Sequence, residues 1–99
     1  MNVRIQSVHF SADSKLIDFV NKKLEKLTVF SDRIIDVAVI MKLENLAHNI
    51  KDKVVEIKVH VPKTDFFAKA SSKSFEESFD DAYNSLINQI KRQKEIQAA

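Results

Sequence analysis

Apolar positions along the chain follow two periods, and the switches between them mark out the elements. In residues 2–10, Val3 and Ile5 alternate with polar neighbours, and Val8 and Phe10 continue the alternation on the other parity. Alternation predicts a strand, and the change of parity predicts a bulge or bend late in it. Leu16, Ile17, Val20, Leu24 and Leu27 then recur at steps of three and four, the spacing of one helix face, with Ser11 or Asp13 placed to cap the first turn. Residues 31–33 break that pattern, and Ile35, Val37, Val39, Met41 and Leu43 alternate as a second strand. Residues 44–52 are polar and turn-like apart from Leu46 and Ile50. Val55, Ile57, Val59 and Val61 form the cleanest alternation, a strand with one buried and one wet face. Residues 62–65, beginning with Pro62, have hairpin length, after which Phe66, Ala68 and Ala70 alternate as a fourth strand. Ser72 or Ser74 caps a last helix whose stripe is Phe75, Phe79, Ala82, Leu86 and Ile90, flanked by Tyr83 and Ile87, reaching to about Glu95.

The order β-α-β-β-β-α predicts an α+β domain: a four-stranded sheet with two helices packed on one face, as in double-stranded RNA-binding domains. Strands two to four, joined by short links, form an antiparallel meander. The opposite sheet face is expected to be polar, presenting Asp36, Lys42, Glu56, Lys58, His60 and Lys69. Residues 1–99 make a single domain, with 96–99 expected as a disordered tail.

Composition narrows the classes. Hydrophobic residues are 44% and charged residues 30% of the 99, as in chains that pack a core. The longest apolar runs fall far short of the roughly 20 residues of a membrane span, and the N-terminus lacks the apolar stretch of a signal peptide. Zero cysteines exclude disulfides and thiolate metal sites, and the expected compartment is the cytoplasm. Glycine is also absent, which excludes phosphate-cradling glycine loops and dinucleotide fingerprints. The net charge of +2 is too small to decide a partner.

Candidate chemistry is sparse. His9, His48 and His60 have no metal-ligand spacing to one another or to a carboxylate, and no nucleophile elbow marks a serine. Glu76, Glu77, Asp80 and Asp81 fall in the first turns of the last helix, where the dipole favours them. No catalytic residue, metal, cofactor or small-molecule substrate is therefore expected. Phe66 and Phe67 are strand neighbours, so one faces away from the core or sits at an edge. The favoured expectation is that both pack at the domain rim; the alternative is an exposed ring that stacks on a base.

The basic residues carry more information. Lys15, Lys22 and Lys26 lie along one solvent-facing line of the first helix, with Lys23 adjacent. On the last helix the charge runs from −4 over residues 74–81 to +2 over residues 82–99, where Lys91, Arg92 and Lys94 outweigh Glu95. Segregation of this kind suits a surface that tracks phosphates, although basic residues also complement a helix C-terminus by about 0.3–1 kcal/mol each.

Three segments, in order along nearly the whole chain, give a family resemblance: LIDFVNKKLEKL at 16–27, FSDRII at 30–35 before a valine-rich strand, and FAKAS at 67–71 followed by a helix that contains Phe79-Asp80 and ends IKRQK at 90–94. Together they resemble the ribosome hibernation-promoting factor and ribosome-associated inhibitor family, also called sigma-54 modulation proteins, in its short form. The resemblance implies a non-enzymatic translation inhibitor that occupies the mRNA and tRNA channel of the small ribosomal subunit during hibernation or stress. Its implied contacts are basic side chains on 16S rRNA phosphates: Lys22, Lys23 and Lys26 on the first helix, and Lys91, Arg92 and Lys94 on the last. It also implies a free monomer, no membrane partner, and no second domain with which to pair ribosomes directly. Two departures from the family pattern are Pro62-Lys63-Thr64-Asp65, where a glycine is common, and Ser74-Phe75-Glu76-Glu77 at the start of the last helix.

Two other readings stay open. A generic double-stranded RNA-binding domain docks through basic residues at the start of its last helix, where this chain has acids. A protein-interaction module would pair an exposed sheet edge with its partner.

Overall fold

The computed structural model describes residues 1–45 and 51–98. The elements are β1 (Asn2–Val8), α1 (Ser14–Glu25), a short α2 (Leu27–Phe30), β2 (Asp36–Asn45), β3 (Lys51–Val61), β4 (Thr64–Ser72) and α3 (Phe75–Ala98). The sheet order is β1-β2-β3-β4, with β1 parallel to β2 and the remaining pairs antiparallel. A parallel pair needs a crossover between its strands, and α1 with α2 supplies it. The fold is thus the expected β-α-β-β-β-α arrangement, with both main helices on one face.

The predicted stripes form the core. Leu16, Val20, Leu24 and Leu27 from the first helical segment meet Phe75, Phe79, Ala82, Leu86 and Ile90 from α3 over Val37, Val39, Met41, Val55, Ile57 and Val59 of the sheet, all of them buried. Asp13 caps α1, its Oδ1 accepting the Leu16 N–H at 2.8 Å. Ser74 does the same for α3 by accepting the Glu77 N–H at 3.1 Å. Ser78, fully buried, donates its hydroxyl to the Lys53 carbonyl at 2.6 Å and lies 2.8 Å from Ser72 Oγ, fixing the start of α3 against β3 and β4.

Glycine's absence has a visible consequence at two turns. His9 (φ 67°) and Lys63 (φ 72°) occupy the left-handed region, which costs a residue with a Cβ about 1–2 kcal/mol. His9 follows β1 directly and returns Phe10 to the core side; the bend expected late within the strand falls after it, since the β1–β2 register runs unbroken from Asn2 to Val8. Lys63 follows Pro62 in a two-residue β3–β4 turn, so the connection is shorter than residues 62–65, and Val61 pairs with Thr64.

Four other details differ from the sequence expectation. The first helix breaks at Lys26 because its N–H takes the Lys23 carbonyl at 3.2 Å and the Thr28 hydroxyl donates to the Glu25 carbonyl at 3.0 Å, local bonds that compete with the helical ladder. At both ends of the polar stretch 44–52 the described residues are strand: Glu44 pairs with Asp52 and Asn45 with Lys51, because ladder bonding does not require apolar side chains. Leu46, His48 and Ile50 lie outside the described residues. Ile35 is 44% exposed just ahead of β2, and its neighbour Ile34 is buried in its place. Finally, α3 continues over residues 96–98, expected as loose tail, since Ile96, Gln97 and Ala98 bring no stop signal.

Candidate nucleic-acid interface

The helices lie side by side, and their partners advance together along both. Phe10 stacks on Phe75 with ring centroids 4.3 Å apart, Phe19 meets Phe79 edge-on at 5.9 Å, Lys23 pairs with Asp80 at 3.3 Å, and Lys91 Nζ sits 5.3 Å over the Phe30 ring. The first helical segment and α3 therefore run in the same sense. The Phe30–Lys91 contact, within cation–π range, holds the basic stretch of α3 against the segment that directly follows Lys26.

The six basic residues proposed from the sequence divide into two kinds. Lys22, Lys26, Lys91, Arg92 and Lys94 are exposed, and none takes part in an ion pair among the described residues. Lys22 and Lys26 are four apart on α1 and share a face. Lys23 is half-buried and committed within the molecule: besides Asp80, it lies 5.9 Å from the Phe19 ring centre and 6.0 Å from that of Tyr83. The Tyr83 hydroxyl is buried without a hydrogen-bond partner, and desolvation pushes its pKa up. Lys23 thus joins the helices and has less freedom to meet a phosphate than its neighbours.

The opposite sheet face is polar, as the alternation requires, and its charges largely satisfy one another. Lys42 donates to Glu56 at 2.7 Å and to Glu44 at 3.1 Å, bonds that hold its ammonium pKa above the ordinary value. Asp65 faces His60 Nδ1 at 2.5 Å and Lys58 Nζ at 3.7 Å, and these partners, His60 first, hold its carboxyl below the usual carboxylate range. A depressed carboxylate contributes stability above its unfolded value, roughly pH 4, and loses it as pH falls through the lower folded value. Asp65→Asn is therefore expected to melt below wild type at pH 7, with the gap closing on acidification to pH 3. Thermal melts at pH 7, 4 and 3 check this, and a gap unchanged at pH 3 would contradict the linkage.

Phe67 corrects the favoured sequence reading. It stands 51% exposed on the polar face of β4, opposite Lys58, while Phe66 turns to the core side. Its backbone carbonyl accepts from Gln89 Nε2 of α3 at 2.8 Å, so one acceptor of this sheet edge is already occupied and less is left for strand addition.

A feature missed from the sequence is a hollow of about 250 Å³ at the far end of α3, where the segment after α2, the β3–β4 turn and the last turns of α3 converge. Arg33 and Lys94 are at its rim. No sequence signal marks it, because its walls come from three separated stretches. Among the described residues, no three His, Cys, Asp or Glu are grouped to hold a metal ion, and no helix is long and apolar enough to cross a membrane.

Comparison with known proteins agrees with this architecture. Residues 3–97 match the family model described as sigma 54 modulation protein / S30EA ribosomal protein. A ribosome hibernation promoting factor from Pseudomonas putida is 31% identical over 97 residues, spanning 98% of this chain and 90% of that protein. Two solved structures share the fold. A ribosomal subunit interface protein from Coxiella burnetii has a TM-score of 0.84 at 21% identity, covering 95% of this chain and 98% of its own. The N-terminal domain of Thermus thermophilus Protein Y has a TM-score of 0.77 at 24% identity, with 93% and 98% covered. With the model matching almost end to end and this degree of identity to a full-length relative, the chain belongs to the sigma 54 modulation protein / S30EA ribosomal protein family.

Proposed function

We propose that this protein is a cytoplasmic ribosome-hibernation factor that binds the small ribosomal subunit, occupies its mRNA and tRNA channel through basic contacts to 16S rRNA, and so inhibits translation without catalysing a reaction. The observation that carries this, beyond family membership, is the set of exposed cations at the ends of α1 and α3 that have no ion-pair partner among the described residues, drawn together by the Lys91–Phe30 contact. Lys22, Lys26, Lys91, Arg92 and Lys94 serve as phosphate ligands, and Lys23 contributes mainly by fixing α1 against α3. The acids Glu76 and Glu77, exposed on the first turn of α3, repel phosphate where a generic duplex-binding domain would dock.

Co-sedimentation of the purified protein with small subunits across a salt series tests the proposal. Binding through those five phosphate contacts gives a log–log salt slope of roughly −3.5 to −4.5, a loss of about 10²- to 10³-fold between 50 and 200 mM salt. Absence of binding at 50 mM, or a flat salt response, rejects it.

A further inference from the structure

The hollow at the end of α3 combines features that an anion-tracking surface alone does not need. Buried Val61 and Ile90, half-buried Phe66 and exposed Pro62 supply apolar lining among its polar groups, and Arg33 and Lys94, both exposed, line it as well. Neither cation has an ion-pair partner among the described residues. Polar groups for a base edge come from Ser31, Thr64 and Gln93, each half-buried. The walls are held in place: Ser31 Oγ accepts the Arg33 N–H at 3.3 Å, and the turn carrying Pro62 is closed by Lys63 in its left-handed conformation.

We infer that this hollow receives one unstacked base of single-stranded RNA, with the flanking phosphates on Arg33 and Lys94; the inference rests on reading the protein as an RNA binder. Its volume, about 250 Å³, lies just below the roughly 300–1,000 Å³ of small-molecule sites and suits one heterocycle better than a dinucleotide. The faces of Pro62 and Phe66 give a flat ring an apolar surface, the mode by which splayed-out bases are held. A base inside a duplex cannot enter, so the site selects single strands, loops or bulges. Charge favours this occupant as well: among the described residues Asp32 is the only acid lining the hollow, and Lys91 and Arg92 continue the positive surface along the adjoining turn of α3. The rRNA-binding surface thus acquires a position that reads a base as well as a backbone.

The test uses the full chain and three labelled hexamers of equal charge: hexauridylate, hexaadenylate and an abasic ribose-phosphate hexamer, measured by fluorescence anisotropy at 50 mM salt. Wild type is expected to bind at least one base-bearing hexamer fivefold or more tighter than the abasic one. In Thr64→Leu/Gln93→Leu, which replaces two of the polar groups offered to a base edge by aliphatic carbon and adds no ring, that ratio should fall below two. Arg33→Glu should weaken all three hexamers, and circular-dichroism melts confirm that each variant folds. Equal wild-type affinity for the three hexamers, no binding of any of them, or a ratio that survives in the double leucine variant overturns the inference. The ribosomal reading is judged separately: co-sedimentation retained while the hexamer ratio is one removes the base site alone, whereas lost co-sedimentation removes the ribosomal reading whatever the hexamers show.

Discussion

Replacing Phe79 by alanine is expected to destabilise the domain by about 3–5 kcal/mol, the range for deleting a buried aromatic side chain. Phe79 has no exposed surface, meets Phe19 edge-on at 5.9 Å and lies 5.8 Å from the Tyr83 ring. It links α3 to α1 inside the core cluster that the sheet also lines, so the cavity left by alanine opens where no single element can close it. For a chain of this size each kcal/mol shifts the melting temperature by roughly 4–8 °C, so the variant should melt at least about 12 °C below wild type by circular dichroism. Phe79→Leu keeps most of the volume and should lose considerably less. A drop of only a few degrees for the alanine variant would mean that the helices are held together elsewhere. The change would also loosen the two basic segments relative to each other, so lost ribosome binding in this variant would report on the scaffold and not on phosphate contacts.

The second large effect is on binding. Lys22→Glu/Lys26→Glu/Arg92→Glu removes three exposed cations from the proposed surface and installs three anions there. Affinity for small subunits should fall at least about 100-fold at 50 mM salt, and any residual salt slope should shrink by roughly one unit per lost contact. None of the three residues is buried or ion-paired among the described residues, so the melting temperature should stay within a few degrees of wild type. Lys69→Glu/Lys73→Glu makes a matched control: both residues are exposed, and both lie outside the proposed set. If the control loses as much binding as the triple variant, attraction to the ribosome is a property of overall charge and not of the helix ends.

The sequence by itself determined the element order and most of the core. Each rests on local periodicity: steps of two or of three and four place a residue on the buried or the wet side whatever it packs against. Val55 to Val61 and the stripe of α3 were legible for that reason, whereas the cap of α1 was narrowed only to Ser11 or Asp13 until the structure showed Asp13. Boundaries were less legible. Residues 44, 45, 51 and 52 are polar, yet they belong to strands because backbone hydrogen bonds to a neighbour decided their conformation. The break at Lys26 likewise depends on a hydroxyl-to-carbonyl bond that hydrophobic spacing does not record.

For the interface, the positions of the basic residues were visible in the chain but their partners were not. Lys22 and Lys23 look alike in sequence; only the packing of α1 on α3 sets Lys23 against Asp80 and the Phe19 and Tyr83 rings, while Lys22 has no ion-pair partner among the described residues. Phe67 was ambiguous until strand register turned it outward and gave its carbonyl to Gln89. The hollow beside Lys94 exists only because the chain after α2, the β3–β4 turn and the end of α3 meet in space. Local pattern determines which face a residue occupies; which distant residue it meets depends on sheet order and register, which the tertiary structure alone decides.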